Sequence, residues 1–147
     1  MNRAARYVIS LIATSLIFLP CFAKEQNWEE VLKNGSHLLA IGETEKAISF
    51  FEQKTKKYPT SGACHTYLGR ALKRLGKLDL AKTEFKTATE VEPGYADGYY
   101  ELGVLQESDK QWADAASAFS RYIELKPDNS QRRTIEDRIK YCKGQQE

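Results

Sequence analysis

Three prolines at one spacing constrain this chain more than anything else in it: Pro59, Pro93 and Pro127 stand 34 residues apart. Gly35, Gly69 and Gly103 keep the same spacing, as do Ala47, Ala81 and Ala115, and then Phe51, Phe85 and Phe119. A fixed period of this length marks a repeat array whose units bury their apolar faces only against their neighbours. Inside the second unit Tyr67, Leu68, Ala71, Leu72 and Leu75 recur at helical spacing, Gly76 interrupts, and Leu78, Ala81, Phe85 and Ala88 resume the pattern. Each unit therefore reads as two helices joined by a tight turn, one apolar stripe facing the other. Gly69 opposite Ala81 is expected to let the two backbones approach. Pro93 cannot continue the helix it follows and is expected to fix the turn into the next unit.

These columns resemble the tetratricopeptide repeat family, whose repeat carries a small residue at position 8, Ala at 20, an aromatic at 24 and Pro at 32. The resemblance places repeats at 28–61, 62–95 and 96–129 and implies an all-α, right-handed α-solenoid of three helical hairpins. The first repeat is less regular, with Val31 and Asn34 where the family prefers other side chains; a terminal repeat has no predecessor to cover that face. After Pro127, the residues Asp128, Asn129 and Ser130 offer capping chemistry for a closing helix over 130–143. Ile135, Ile139 and Cys142 give that helix one narrow apolar face, and charged residues cover the rest.

Residues 1–23 read differently. Arg3 and Arg6 precede an apolar run from Tyr7 to Leu19, and Pro20 closes it ahead of small residues at Cys21 and Ala23. That is the layout of a secretory signal peptide cut before Lys24, with 24–147 as the mature repeat domain. A retained membrane anchor is the alternative, since 17 residues from Tyr7 to Ala23 lie at the lower limit for spanning a bilayer. Lipidation at Cys21 is disfavoured, because Phe18 and Pro20 occupy the positions that decide a lipoprotein signal. Every one of these routes puts the repeats in the periplasm or at the outer face of a membrane. There disulfides are allowed, yet Cys64 and Cys142 lie a hairpin or more apart, so two free thiols are expected, with Cys142 near enough to the end to join two molecules.

The formal charge of +2 comes from Arg3 and Arg6, and residues 24–147 carry 20 basic and 20 acidic side chains. A balanced chain argues against nucleic-acid binding, which needs a dominant basic field. Signals for an enzyme or metal protein are weak. His37 and His65 lie in different repeats with no metal-ligand spacing, His65 falls at a position that usually packs, and no cofactor is implied. Asn34-Gly35-Ser36 matches a glycosylation acceptor but lies inside an expected helix.

What remains is a binding surface. The resemblance implies that the first helix of each hairpin lines a concave groove, which here carries Thr66, Arg70, Lys73 and Arg74 from the second repeat and Asp97, Tyr100 and Glu107 from the third. Arg70, Lys73 and Arg74 share one helical face by spacing alone. The second repeat has six basic and four acidic residues and the third three and seven, so a basic wall facing an acidic wall is expected. Tyr67, Tyr95 and Tyr100 would add contacts of the kind tyrosine favours at interfaces, apolar at one end and hydrogen-bonding at the other. The carboxylate clamp of some family members has no counterpart, because Leu32, Ser36, Tyr67, Asp97 and Glu101 stand in its places. The expected function is that of an exported assembly or scaffolding factor that binds a peptide or helix of another protein. A self-associating structural module is the alternative, and any membrane association is expected to run through an uncleaved leader.

Overall fold

The computed structural model describes residues 28–146; the leader and Cys21 lie outside them. Seven α-helices account for the regular structure of this region: α1 (Trp28–Ala40), α2 (Thr44–Lys57), α3 (Gly62–Arg74), α4 (Leu78–Val91), α5 (Ala96–Ser108), α6 (Trp112–Leu125) and α7 (Arg132–Gly144). The odd helices α1, α3 and α5 start at 28, 62 and 96, so the period of the sequence is also the period of the helices. Each helix packs on the next, which makes a solenoid of three hairpins closed by a single helix. In addition α1 packs beside α3 and α3 beside α5, with no comparable contact between α2 and α4 or α4 and α6. The odd helices are therefore the closer-spaced layer, and the array curves around them.

The turns repeat atom for atom. At the end of α1, α3 and α5 one residue takes a left-handed backbone: Gly42 at φ 84°, Gly76 at φ 80° and Lys110 at φ 59°. The next amide reaches back to a carbonyl in the last turn, Glu43 to Leu38, Lys77 to Leu72 and Gln111 to Gln106, at 2.8–2.9 Å. This is the Schellman arrangement, which satisfies carbonyls that a helix end leaves orphaned. The even helices end ahead of the prolines, where Tyr58, Glu92 and Lys126 each donate back to the carbonyl four residues earlier.

The core is built from one contact made three times. Phe51, Phe85 and Phe119 are wholly buried, and each ring lies against the glycine of its own hairpin. A Cβ added at Gly69 would fall 2.5 Å from Phe85 Cε1, and one at Gly103 would fall 2.8 Å from Phe119 Cε1. The glycine column therefore seats a phenyl ring in each hairpin, a contact that the pairing of Gly69 with Ala81 leaves out. Two clusters result, one around Phe51, Leu68, Leu72, Phe85 and Leu105 and one around Phe119, Tyr122, Ile135, Ile139 and Cys142. Each buried phenylalanine is worth about 2–3 kcal/mol of transfer free energy.

The last helix differs from expectation at its start. Helix α7 begins at Arg132, and the Asn129 side chain accepts from the Gln131 amide at 3.0 Å, so the capping side chain serves the turn before the helix. Its apolar face is as read: Ile135, Ile139 and Cys142 are buried. With Cys142 buried its thiol is not placed to join two molecules, and Cys64 is buried too; both are free. Leu75 and Leu78, read as part of the inward stripe of the second hairpin, are instead exposed.

Candidate binding surface

The closer-spaced layer presents α1, α3, α5 and α7 side by side, and its charged residues are already engaged with one another. Arg70 on α3 donates from Nε to Glu101 Oε1 on α5 at 2.7 Å and from Nη2 to Asp97 at 3.2 Å. Lys73 on α3 holds the other oxygen of Glu101. Lys126, just past α6, donates to Asp97 at 2.5 Å. One step along, Glu107 on α5 accepts from Arg138 on α7, with Nε at 3.0 Å. The Arg70–Glu101 and Glu107–Arg138 pairs both span 31 residues, one repeat less one helical turn. They tie α3 to α5 and α5 to α7.

Aromatic rings support the cations of this ladder. The Arg70 guanidinium lies 4.9 Å from the Tyr67 ring, which in turn stacks on Phe51 at 5.4 Å. Arg138 lies 4.5 Å from the Phe119 ring and 6.0 Å from that of Tyr100, which packs on Tyr122 at 5.2 Å. A guanidinium over a ring face gains from the ring's quadrupole, most when it is partly desolvated. The ion pairs leave their mark on acidity. Burial works against ionisation of Asp97, but Lys126 and Arg70 outweigh it and hold the carboxyl below its usual range. Burial likewise works against the charge of Arg70, and Glu101 and Asp97 more than restore it.

The expected opposition of a basic and an acidic wall is therefore not what the fold builds. Arg70, Lys73, Asp97 and Glu107 all lie in the odd-helix layer, but they neutralise neighbours within it. Tyr67 and Tyr100 are half-buried beneath that ladder. Thr66 is wholly buried, with its hydroxyl against Gly98 of α5, and is not available to a partner. Arg74 alone of the seven remaining residues is exposed and carries no ion-pair partner among the described residues. Glu101 was passed over except as a residue out of place in a clamp. Its burial could not be read from a helical period, which gives a face but not what lies opposite it.

An open cleft of about 550 Å³ interrupts the ladder at its amino-terminal end. Leu32 of α1, Ala63 of α3 and Tyr95 line it, with the turn from Lys57 to Ser61 along one side. Three bonds hold its rim. The Gly62 amide, at the start of α3, donates to Glu92 Oε2 at 2.7 Å, an anionic cap supplied from the end of α4. His65 bridges from Nδ1 to Glu84 at 2.7 Å and from Nε2 to the Pro59 carbonyl at 3.0 Å. His65 is thus a bonded fastener between α3, α4 and the cleft's turn, where simple packing was expected. Its bond to Glu84 raises its pKa, against the opposing effect of burial. Burial, reinforced by Asp97, pushes the Tyr95 phenol up as well, so the cleft presents a neutral hydroxyl. No cluster of three or more metal-ligating side chains occurs among the described residues.

A family model described as tetratricopeptide repeat matches residues 66–130, the stretch that holds α4 to α6 with their turns and most of α3. Over that stretch the chain carries tetratricopeptide repeats. A chloroplastic tetratricopeptide repeat domain-containing protein of Arabidopsis thaliana is 28% identical over 106 residues, covering 67% of this chain and 35% of that one. The small glutamine-rich tetratricopeptide repeat-containing protein 2 of Saccharomyces cerevisiae is 24% identical over 102 residues, or 69% of this chain and 30% of its own. The chain thus spans about a third of the length of these curated relatives. Among solved structures, the first tetratricopeptide repeat domain of Spaghetti, bound to an HSP90 peptide, superposes with TM-score 0.70 at 19% identity, covering 79% of this chain and 94% of that one. The type III secretion chaperone SycD of Yersinia enterocolitica, in complex with a peptide of its translocator, gives TM-score 0.70 at 14% identity, with 82% and 95% covered. These likenesses establish the tetratricopeptide fold.

Proposed function

We propose that this tetratricopeptide repeat protein is an exported interaction module that takes a peptide or helix of another protein across its odd-helix layer, as an assembly or scaffolding factor. The observation that carries the reading is the open cleft beside a ladder whose charges are satisfied internally. A surface of that kind discriminates by shape and by an apolar anchor, because a partner gains little by offering charge to groups that already have partners. The anchor is an apolar side chain seated among Leu32, Ala63 and Tyr95, and the rest of the segment runs along the ladder toward Arg138. The peptide complexes of Spaghetti and SycD support the reading by precedent. Export rests on the leader's composition, with 24–147 as the mature chain.

The ladder changes how the surface must be tested. Replacing Arg70 and Lys73 would strand Glu101 and loosen α3 from α5, so loss of binding in such a variant would report on folding. A photoreactive residue at Ala63, in the cleft, avoids this; the control positions are Thr83 and Ser117 on the exposed sides of α4 and α6. In cells producing the full chain, the reading expects one protein to crosslink from Ala63 and not from the controls. Crosslinks from Thr83 or Ser117 alone would move the site to the opposite layer. Fractionation of the same cells tests export: a cytosolic chain with its leader intact removes that half of the proposal.

A further inference from the structure

Both ring nitrogens of His65 face acceptors. Nδ1 lies 2.7 Å from the Glu84 carboxylate of α4, and Nε2 lies 3.0 Å from the Pro59 carbonyl. A carbonyl has no proton to give and neither has an ionised carboxylate, so both bonds form only when each nitrogen carries its own hydrogen, as in the imidazolium. Neutral imidazole has one N–H. With that hydrogen on Nε2, the Nδ1 lone pair would face an anion. With it on Nδ1, the shorter, charge-assisted bond to Glu84 is kept and a lone pair faces the Pro59 oxygen instead. Loss of one proton therefore keeps the bond to α4 and gives up the bond to the turn.

That turn is one wall of the cleft. Residues 57–61 are five of the nine that line it, so the cleft's shape depends on where the turn is held. Ser61, at its far end, caps α3 through its side chain, and the His65 bond ties its middle, where Pro59 and Thr60 are exposed. The other hairpins are built differently. The column of His65 holds Val31 in the first and Tyr99 in the third, and Tyr99 reaches a carbonyl of α4, that of Thr89, in place of a turn. The column of Glu84 holds Phe50 and Ala118. The histidine and its carboxylate thus come together in the second hairpin, beside the cleft.

We infer that His65 is a proton-operated clasp on the cleft: protonated, it fixes the 57–61 turn as a wall, and deprotonated, it frees that wall and weakens the hold on a side chain anchored beside Ala63. The effect on binding rests on the proposed peptide reading; the clasp itself does not. A wall already in place spares a partner the cost of ordering it.

The groups around the ring set where the clasp opens. The Glu84 bond raises the pKa of His65, burial opposes it, and the Pro59 bond adds to the rise. Lys54 on α2 and Glu92 past α4 act with opposite signs on the adjacent Cys64. On α5, Asp97 and Glu101 are engaged by Arg70 and Lys73, and on α1, Glu30 and Lys33 are exposed. The clasp is therefore closed below the ordinary histidine value of 6.5 and opens as pH rises through the folded value above it.

The clasp is tested without a partner, by nitrogen-15 magnetic resonance of residues 24–147, which hold all seven helices and both buried clusters. His65 should carry hydrogen on both nitrogens below its midpoint and on Nδ1 alone above it. The Thr60 amide, which shares a peptide group with the Pro59 carbonyl, should shift with the same midpoint. Glu84→Gln should lower that midpoint, and His37→Gln identifies the signals of the other imidazole. A Thr60 amide that stays still while His65 titrates, or a neutral ring that keeps its hydrogen on Nε2, overturns the clasp. Binding is read from the photoreactive residue at Ala63, in extracts of cells producing the full chain, at pH 6 and pH 8.5. The crosslinked product should be about fivefold more abundant at the lower pH, the worth of one hydrogen bond, and His65→Gln should remove the difference. An equal pH response in both chains, or none in the wild type, overturns control of binding by His65. No crosslink at either pH removes the peptide reading and that control with it, while the resonance result still decides the clasp.

Discussion

Arg70 should be the most sensitive point of the charged ladder, because it answers the buried charge of Glu101, and the structure predicts an asymmetry that can be measured. The Glu101 side chain is only 8% exposed, while its partners Arg70 and Lys73 keep 26% and 33% of theirs in water. Removing Arg70 therefore strands a buried carboxylate with Lys73 as its remaining cation, whereas removing the carboxylate strands cations that can turn outward and rehydrate. Breaking a fully buried pair by deleting one partner costs about 3–5 kcal/mol. With one partner partly solvated and a second cation still in place, Arg70→Met should cost about 2–3 kcal/mol, near the low end of that range. Glu101→Gln preserves the shape and leaves groups able to reach water, so its cost should be about 1–2 kcal/mol, in the range of a lost charged hydrogen bond. The double variant should fall short of the sum by at least ~1 kcal/mol, because each single change destroys the same contact. Urea unfolding of the four proteins, followed by far-ultraviolet circular dichroism, gives all three quantities. Additivity of the two single changes, or a larger loss for Glu101→Gln than for Arg70→Met, would refute the reasoning, because either result means that Glu101 is solvated in the folded protein.

Three further outcomes follow from particular contacts. A Cβ at residue 69 would meet the Phe85 ring at 2.5 Å, so Gly69→Ala should destabilise by about 1–3 kcal/mol through overpacking, and Phe85→Leu in the same chain should recover part of that loss; equal stability of Gly69→Ala and wild type would show the ring free to move. Lys110 holds φ 59° where the other two hairpins use glycine, and non-glycine residues pay for that backbone, so Lys110→Gly should raise stability by about 0.5–1 kcal/mol once the extra freedom of unfolded glycine is counted; a decrease would mean that the lysine side chain contributes something its exposure conceals. The raised pKa of His65 means that its protonated form is favoured by folding, so its contribution is complete below about pH 6.5 and fades as pH rises through the folded value. Wild type should therefore exceed His65→Gln in urea midpoint by more at pH 5.5 than at pH 8.5, and a margin that is constant or grows with pH would exclude the bonded fastener.

Much of the fold could be read before any coordinates, because a repeat declares itself in columns. The starts of α1, α3 and α5, the corner at Gly76 and the inward face of α7 fall where glycine, proline and the helical period put them. The contacts across those helices were less legible. The pairing of Gly69 with Ala81 gives no sign that the Phe85 ring also lies against Gly69, since a residue without a side chain makes room for whatever ring reaches it. Leu75 and Leu78 fit the helical stripe and nonetheless face water, because they flank the Gly76 turn at the tip of the hairpin. Thr66, Arg70 and Asp97 were placed correctly on the odd-helix layer, but the period said nothing of Gly98 drawing α5 down over Thr66.

What the sequence determined by itself is therefore local and periodic. It set where each hairpin begins, which residues recur at each turn, and most of the apolar face of each helix, since these depend on backbone chemistry and on neighbours within a few residues. Only the tertiary structure decided which charges are available to a partner. Arg70 and Glu101 lie 31 residues apart, and whether they meet depends on how closely two non-consecutive helices are set by the glycines and rings between them. A groove that reads as charged along the chain becomes, once the odd helices are side by side, a nearly neutral ladder with an open cleft at its amino-terminal end. Coulomb attraction at short range favours closing such pairs wherever packing brings them together.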